Sequence, residues 1–312
     1  MNLPRSQTST WRAVVRVLRS PATAQNLLHS VTSAVFPADC QVCGDPLCGY
    51  SRVPVCDSCW KNLPQQPGPT CSRCGESLGV SDFGQPGSGE AMECRPCRLA
   101  PPAFTHAIAH GPYSGAMRPL LHLLKYSGME PVAGRLGCAM AARLAQQPDL
   151  PSVMIVVPVP LFRAREKQRG FNQSVLLARA IVRAMRTLRP EWRGELAAKI
   201  LERRRATQSQ AGLSLSERRR NLRGAFFVSD ADIIRDRHVL LIDDIYTTGA
   251  TARACSSVLK RAGAASVWVA TAARAQRYEA ILHHEFQRAA AEPLPNELEM
   301  ARDVARWDST IH

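Results

Sequence analysis

The 312-residue sequence contains no apolar run of the roughly 18 residues that a membrane-spanning helix requires, so no transmembrane helix is predicted. Acidic residues are absent before Asp39, although Arg5, Arg12, Arg16 and Arg19 all lie in that stretch. An arginine-rich, acid-free leader resembles an organellar transit peptide. The competing reading is a pair of ordinary helices. Trp11, Val14, Val15 and Leu18 fall at i, i+3, i+4 and i+7, one face of a short helix, and Leu27, Leu28, Val31 and Val35 suggest a second. Both run straight into a cysteine-rich region, so leading helices over residues 1–36 are the expectation. Nothing resembles a secretion signal, which removes the usual setting for a disulfide-bonded cysteine framework. Aromatic residues make up 6% of the chain and few of them interleave its arginines. A base-stacking platform for single-stranded nucleic acid is therefore not evident.

What is present is a hydrophobic fraction of 45% and a charged fraction of 21%, the profile of a globular protein with room for one domain of ordinary size and a smaller one. The formal net charge of +14 favours anionic partners such as phosphate esters, nucleic acid or anionic lipid. Much of the excess is local. Seven arginines and two glutamates lie between Leu201 and Arg223, and Arg163, Arg165, Lys167 and Arg169 form a second cluster.

Nine of the eleven cysteines lie between residues 40 and 100, and eight of them form Cys-x-x-Cys pairs: Cys40/Cys43, Cys56/Cys59, Cys71/Cys74 and Cys94/Cys97. A Cys-x-x-Cys turn aims two thiolates at one ion, and a second such turn completes a closed tetrahedral site, so a structural Zn²⁺ is predicted in a reducing cytoplasm. Gly44 and Gly75 follow the second cysteine of their pairs, where a tight knuckle favours a residue without a side chain. With so few apolar residues, the region depends on metal to fold. Sequential pairing of 40/43 with 56/59 and of 71/74 with 94/97 gives two ribbons; a single zinc and interleaved pairing remain as alternatives. Cys48 is left over. Cys138 and Cys255 fall on predicted helices and read as small core residues.

After Pro101 and Pro102 the composition changes to alternating strands and helices. Ala107 to His110, Val153 to Val157, Val239 to Ile242 and Val267 to Ala270 read as short buried strands. Met117, Leu120, Leu121 and Leu124 make one helix face, and Ser174 to Leu188 reads as a helix with Leu177, Ile181, Ala184, Met185 and Leu188 on one side. Ser214 and Glu217 have capping-box spacing. The pattern predicts an α/β domain built on a parallel sheet flanked by helices.

The most informative segment runs from Val239 to Thr251. Four apolar residues end a strand, Asp243 and Asp244 follow, and Thr247, Thr248, Gly249, Ala250 and Thr251 open a helix. This places a ligand at the carboxyl end of a parallel strand, where α/β sheets bind them. Backbone N–H groups and hydroxyls of the loop suit an anion, aided by the helix dipole. Two adjacent carboxylates suit a vicinal diol, and a diol reader beside a phosphate cradle describes ribose 5-phosphate. A rival reading makes the acids magnesium ligands of another phosphotransfer enzyme, but no Walker lysine accompanies them.

These residues resemble the phosphoribosyl pyrophosphate loop of type I phosphoribosyltransferases, and the chain over roughly residues 36 to 274 resembles the ComF family. The likeness includes the cysteine pairs, Val157-Pro158-Val159-Pro160-Leu161, Arg169-Gly170-Phe171-Asn172-Gln173, Gln210-Ala211-Gly212-Leu213 and Glu217 through Phe226. It implies a double zinc ribbon over 37–100 and a phosphoribosyltransferase domain over 101–274, which the sequence pattern flanks with leading helices over 1–36 and a helical tail over 275–312. It further implies that Pro158, Val159 and Pro160 form a pyrophosphate loop, with Arg163, Arg165 and Arg169 and a Mg²⁺ ion neutralising the leaving group. Arg204 to Leu215 then corresponds to a mobile loop closing over the site. Lys125 and Tyr126 match a family position to which no role attaches. ComF-like proteins are associated with natural transformation, so the implied setting is uptake of single-stranded DNA together with DNA-uptake proteins. Glutaminase chemistry is not expected, because the chain begins Met1-Asn2 and offers no N-terminal cysteine. Two functions follow: a phosphoribosyltransferase acting on an unidentified acceptor, or a non-catalytic adaptor for single-stranded DNA or protein that uses the same pocket.

Overall fold

The computed structural model describes residues 38–47, 53–66, 68–78, 92–126, 129–204 and 224–276. The leading helices, Cys48, the capping box at Ser214 and Glu217, the motif Gln210 to Leu213, most of the 204–215 loop and the tail lie outside the described residues.

Two short helices, α1 (Asp57–Lys61) and α2 (Arg95–Leu99), belong to the cysteine-rich region. The rest runs β1 (His106–Pro112), α3 (Met117–Tyr126), α4 (Glu130–Ala145), β2 (Val153–Pro158), α5 (Arg163–Arg169), α6 (Gln173–Leu188), β3 (Arg193–Leu196), β4 (Leu201–Arg203), β5 (Phe226–Val228), β6 (His238–Tyr246), α7 (Ala250–Arg261) and β7 (Ser266–Arg274). Five strands form one sheet in the order β1-β7-β6-β2-β3, parallel at every pairing. Strands β4 and β5 pair antiparallel beside it.

The central strands are apolar over residues 154–157, 239–242 and 267–270 because both faces of the sheet are covered there. Met154, Val156, Leu240, Ile242 and Ala270 face a layer with α3, α4 and α6. Their neighbours Ile155, Val157, Leu241, Val267 and Val269 face the opposite layer, with Cys255 and Leu259 of α7 and with β4 and β5. The two halves of the cysteine-rich region divide between these layers. Cys40, Val53 and Val55 join the first, whereas Cys71, Cys74, Cys94 and Cys97 join the second. Each half therefore packs on its own face of one sheet.

The four strands expected from apolar runs are present, and each is longer than the run that announced it. Helices α1, α2, α4 and α5 and the strands β3, β4 and β5 are additions. In α4 the apolar pattern is interrupted by Gly134 and Gly137. Gly137 is a packing position, since a β-carbon there would meet Ala180 Cβ at 2.4 Å on α6. Strand β3 is an edge strand with alternating exposed positions, so no apolar run marks it. Cys138 corrects an expectation: it lies on a helix as predicted, but is exposed rather than in the core, because α4 turns that face outward. Leu188 is likewise exposed at the end of α6, while Cys255 is buried as expected. Among the described residues no helix is long and apolar enough to cross a membrane.

Candidate functional site

The strand carrying the acids continues two residues past them. Asp243 and Asp244 lie within β6 rather than after it, pairing in register with β7 as far as Tyr246 opposite Arg274. The chain then turns through Thr247 and Thr248 to Gly249, the N-cap of α7, at φ 74°. Because a glycine N-cap has no side chain to satisfy the first helical N–H groups, they remain available to an anion. Thr248 Oγ1 accepts only a long bond of 3.4 Å from Ala250 N. A β-carbon on Gly249 would lie 2.1 Å from Tyr246 Oη, so the position requires glycine for space as well as for conformation.

Opposite this mouth the chain leaves β2 at Pro158. Val159 N donates to Ile242 O at 2.9 Å, fixing the loop against β6. The motif Arg169 to Gln173 then acts as a clamp. Gly170 ends α5 in a left-handed conformation at φ 78°. Asn172 caps α6 by accepting from Ser174 N at 2.9 Å, and its amide donates to Val159 O at 3.1 Å. One asparagine thus ties the loop after β2 to the start of a helix.

These segments surround an open cavity of about 440 Å³. Of the predicted residues, Asp243, Asp244, Thr247, Thr251, Val159, Pro160, Arg165 and Arg169 line it together. Gly249 and Ala250 line a small void just beneath the loop. Arg163 faces an adjoining basic cavity with Lys199, Arg203 and Arg204. Pro158 is buried within β2, paired with Ile242. The pocket thus sets a carboxylate pair and a helix mouth against arginines, within the usual volume for a small-molecule site.

The acids are not bare. Lys125, at the end of α3, places Nζ 2.6 Å from Asp244 Oδ2. Ser174 Oγ donates to Asp243 Oδ1 at 3.3 Å, and the backbone N–H of Asp244 donates to the same oxygen at 2.9 Å. Burial, followed by the neighbouring charge of Asp244, pushes the Asp243 carboxyl up to about 8 against the pull of Lys125. Arg203 lines the same cavity, and its pKa is lowered by burial and then by the charge of Arg165. Lys125, Ser174 and Arg203 are site residues to which the sequence attached no role. Spacing could not reveal them, because they come from three different elements.

The cysteines form two groups of four, Cys40/Cys43/Cys56/Cys59 and Cys71/Cys74/Cys94/Cys97, with all sulfurs of a group within 4.8 Å of one another. This is the sequential pairing. A Zn–S bond of about 2.3 Å sets a tetrahedral sulfur–sulfur edge of about 3.8 Å. The observed separations include 3.8 Å for Cys40–Cys59, 3.7 Å for Cys43–Cys56 and 3.6 Å for Cys74–Cys94. Backbone N–H groups of Cys56 and Cys94 point at Cys40 Sγ and Cys71 Sγ, at 3.3 and 3.2 Å, the outer-shell donation expected of metal thiolates. Gly44 and Gly75 have φ of 80° and 67°, as the knuckle geometry demands. Donor set and spacing both fit zinc.

Comparison with known proteins agrees with this geometry. Residues 31–98 match the double zinc ribbon domain family, and residues 171–287 match the phosphoribosyl transferase domain family. The DNA utilization protein YhgH of Escherichia coli is 29% identical over 231 residues, covering 72% of this chain and 94% of that protein. Competence protein F of Haemophilus influenzae is 29% identical, covering 71% and 90%. Competence protein ComFC of Bacillus subtilis is 27% identical, covering 68% and 81%. A solved glutamine phosphoribosylpyrophosphate amidotransferase from B. subtilis aligns with 45% of this chain and 26% of its own length, at 20% identity and a TM-score of 0.29, an overlap too slight to bear on the argument. By its matched domains and these relatives, the chain is a double zinc ribbon joined to a phosphoribosyltransferase-type parallel sheet flanked by helices, and it is similar over most of its length to the competence and DNA utilization proteins.

Proposed function

We propose that the cavity binds phosphoribosyl pyrophosphate and that the protein serves DNA uptake or utilization, as the names of its relatives state for them. The observation carrying this reading is the convergence of Asp243, Asp244, Thr247 and Thr251 with Arg165 and Arg169 around one open pocket. In this arrangement the N–H groups and hydroxyls of Thr247 to Thr251 take the 5-phosphate, and Asp243 and Asp244 take the ribose diol. Val159, Pro160, Arg165 and Arg169 receive the pyrophosphate, with Arg163 and Arg203 adding positive potential from the side. The hard oxygen chemistry of pyrophosphate beside two carboxylates fits Mg²⁺, which supplies charge neutralisation of the leaving group when it enters with the ligand.

If an acceptor arrives, it displaces pyrophosphate from C1 of the ribose. The protein contributes positioning of the diol and phosphate, and arginines aimed at the developing negative charge. Among the described residues lining the cavity, none is placed as an evident general base. The division into a ribbon over 37–100 and a transferase domain over 101–274, with cytoplasmic residence, belongs to the same proposal.

The test is an Asp243→Asn, Asp244→Asn double variant. Calorimetric affinity for phosphoribosyl pyrophosphate with Mg²⁺ is expected to fall by about a hundredfold or more, as for buried polar groups left unpaired against a ligand, with an unchanged circular dichroism spectrum. Transformation or growth on DNA is expected to fail with it. If DNA use persists while ligand binding is lost, the pocket is dispensable and the adaptor reading takes its place. That second reading rests on the basic cavity of Arg163, Lys199, Arg203 and Arg204. It requires binding to single-stranded DNA that weakens steeply with salt.

A further inference from the structure

We propose that the second cysteine cluster, beyond stabilising its own ribbon, positions the phosphate loop through Arg274 and Tyr246. The inference deepens the reading of Thr247 to Thr251 as the phosphate site and rests on it for its functional meaning.

Arg274 ends β7 and is almost wholly buried, at 1% exposure. Its guanidinium makes three contacts that join separate parts of the molecule. It is ion-paired with Glu76, which is itself buried in the second ribbon. Its Nη2 donates to Cys74 Sγ at 3.5 Å. Its Cζ lies 4.2 Å from the ring centroid of Tyr246, its register partner across the β6–β7 ladder. Tyr246 is buried, meets Phe104 edge-on with ring centroids 6.3 Å apart, and presses its hydroxyl against Gly249 at the N-cap of α7. The path runs from a metal-ligand sulfur through one cation and one ring to the glycine that sets the loop.

Charge explains why a buried arginine belongs there. Four thiolates around Zn²⁺ carry a net charge of −2, and a buried anion of that size calls for nearby positive groups and N–H donors. Without the metal the four sulfurs are no longer drawn to one point, and the contact of Cys74 Sγ with Arg274, which sets the guanidinium plane against Tyr246, loosens. The ribbon is also anchored to the sheet on either side of this path. Ala107 N donates to Arg73 O at 2.7 Å, Ser77 N donates to Gln276 Oε1 at 3.2 Å, and Arg253 Nη1 on α7 donates to Ala100 O at 2.7 Å. Among the described residues the first cluster has no comparable route. Arg135 pairs with Asp57 at 3.0 Å and lies over Trp60 beside it, on the opposite face of the sheet.

The test uses the full chain loaded with zinc and compares Arg274→Gln, Arg274→Lys and Arg135→Gln with the unaltered protein. Without any ligand, amide hydrogen exchange over residues 247–252 is expected to speed up about tenfold in Arg274→Gln, less in Arg274→Lys, and not at all in Arg135→Gln. Zinc transfer to a chromophoric chelator is expected to show a faster second phase in the Arg274 variants only. If Arg274→Gln does not fold, Arg274→Lys makes the same comparison. Unchanged loop exchange while zinc leaves faster would overturn the proposal, as would equal loop loosening in Arg135→Gln. A ligand arm separates this from the pocket assignment. Because coupling is reciprocal, phosphoribosyl pyrophosphate with Mg²⁺ is expected to slow zinc release from the second cluster, and Arg274→Gln to abolish that effect. Should this ligand fail to bind while the exchange results hold, the pocket assignment falls and the mechanical link stands.

Discussion

Asp243 and Asp244 are adjacent in sequence but differ in environment. Asp244 is buried against the Lys125 ammonium, while Asp243 is held up to about 8 from an ordinary value of 3.8. Burial and the neighbouring Asp244 charge thus favour the protonated form of Asp243 toward neutrality. The native state binds this proton more tightly than the unfolded chain does. Its contribution to stability is complete below the ordinary carboxylate range and is lost as pH rises through about 8. An Asp243→Asn protein is expected to gain thermal stability over the unaltered one, by a margin that widens between pH 5 and pH 9 on the order of a few degrees. Melting curves without ligand across that range check this; a constant difference would contradict it. The groups that face the pair are Lys125, Ser174, Arg165, Arg169 and Arg203. Replacing Lys125 by methionine removes the cation that draws the Asp243 carboxyl down and leaves Asp244 unneutralised. Phosphoribosyl pyrophosphate affinity at pH 7 is expected to drop about tenfold in Lys125→Met, with a smaller loss in Lys125→Arg. Titration calorimetry of both variants decides it. The acid pair was legible from sequence because it sits inside one contiguous motif. Lys125 and Ser174 were not, because α3 and α6 reach the site only through the packing of separate helices.

At the scale of elements, the mouth of α7 and the loop after β2 set the geometry. Gly249 combines a left-handed backbone with a space already filled by Tyr246 Oη at 2.1 Å from where a β-carbon would stand. Gly249→Ala is expected to destabilise the protein by about 1–3 kcal/mol and to displace the loop. Urea unfolding measures the first effect, and a loss of phosphoribosyl pyrophosphate binding larger than the stability change predicts measures the second. Periodicity located these elements well where both faces of a strand are buried, as in Val153 to Val157. It did not locate β3, β4 or β5: β3 and β4 are short and mixed in polarity, and the apolar β5 is only three residues long. Nor did it show that β6 carries both acids within the ladder, since Asp243 and Asp244 ended the apolar signal while their backbones kept pairing with β7.

Across the whole molecule, the two ribbons lie in different core layers, and this gives zinc removal two distinct consequences. The cysteine-rich region has little apolar surface of its own and depends on metal for its fold. Chelation of the full chain is expected to lower the melting temperature and to expose residues 38–78 and 92–98 to protease before the sheet is cut. Limited proteolysis with mass mapping tests the order, and simultaneous loss of both parts would show that the ribbons and the sheet form one cooperative unit.

By itself the sequence determined the chemistry that is local in the chain. Cysteine spacing specified closed tetrahedral metal sites, and the segment Val239 to Thr251 specified a strand, two acids and an anion-receptive helix mouth. Contiguous residues fix such features because their geometry follows from turn and helix rules acting over a few bonds. Only the tertiary structure decided that Lys125 pairs with Asp244, that Asn172 ties the β2 loop to α6, and that Arg274 reaches from the second cysteine cluster to Tyr246 beneath the mouth of α7. Those contacts link residues between 13 and 200 positions apart; they exist because a five-stranded parallel sheet brings the ends of separate strands and helices to one edge, which no spacing rule along the chain encodes.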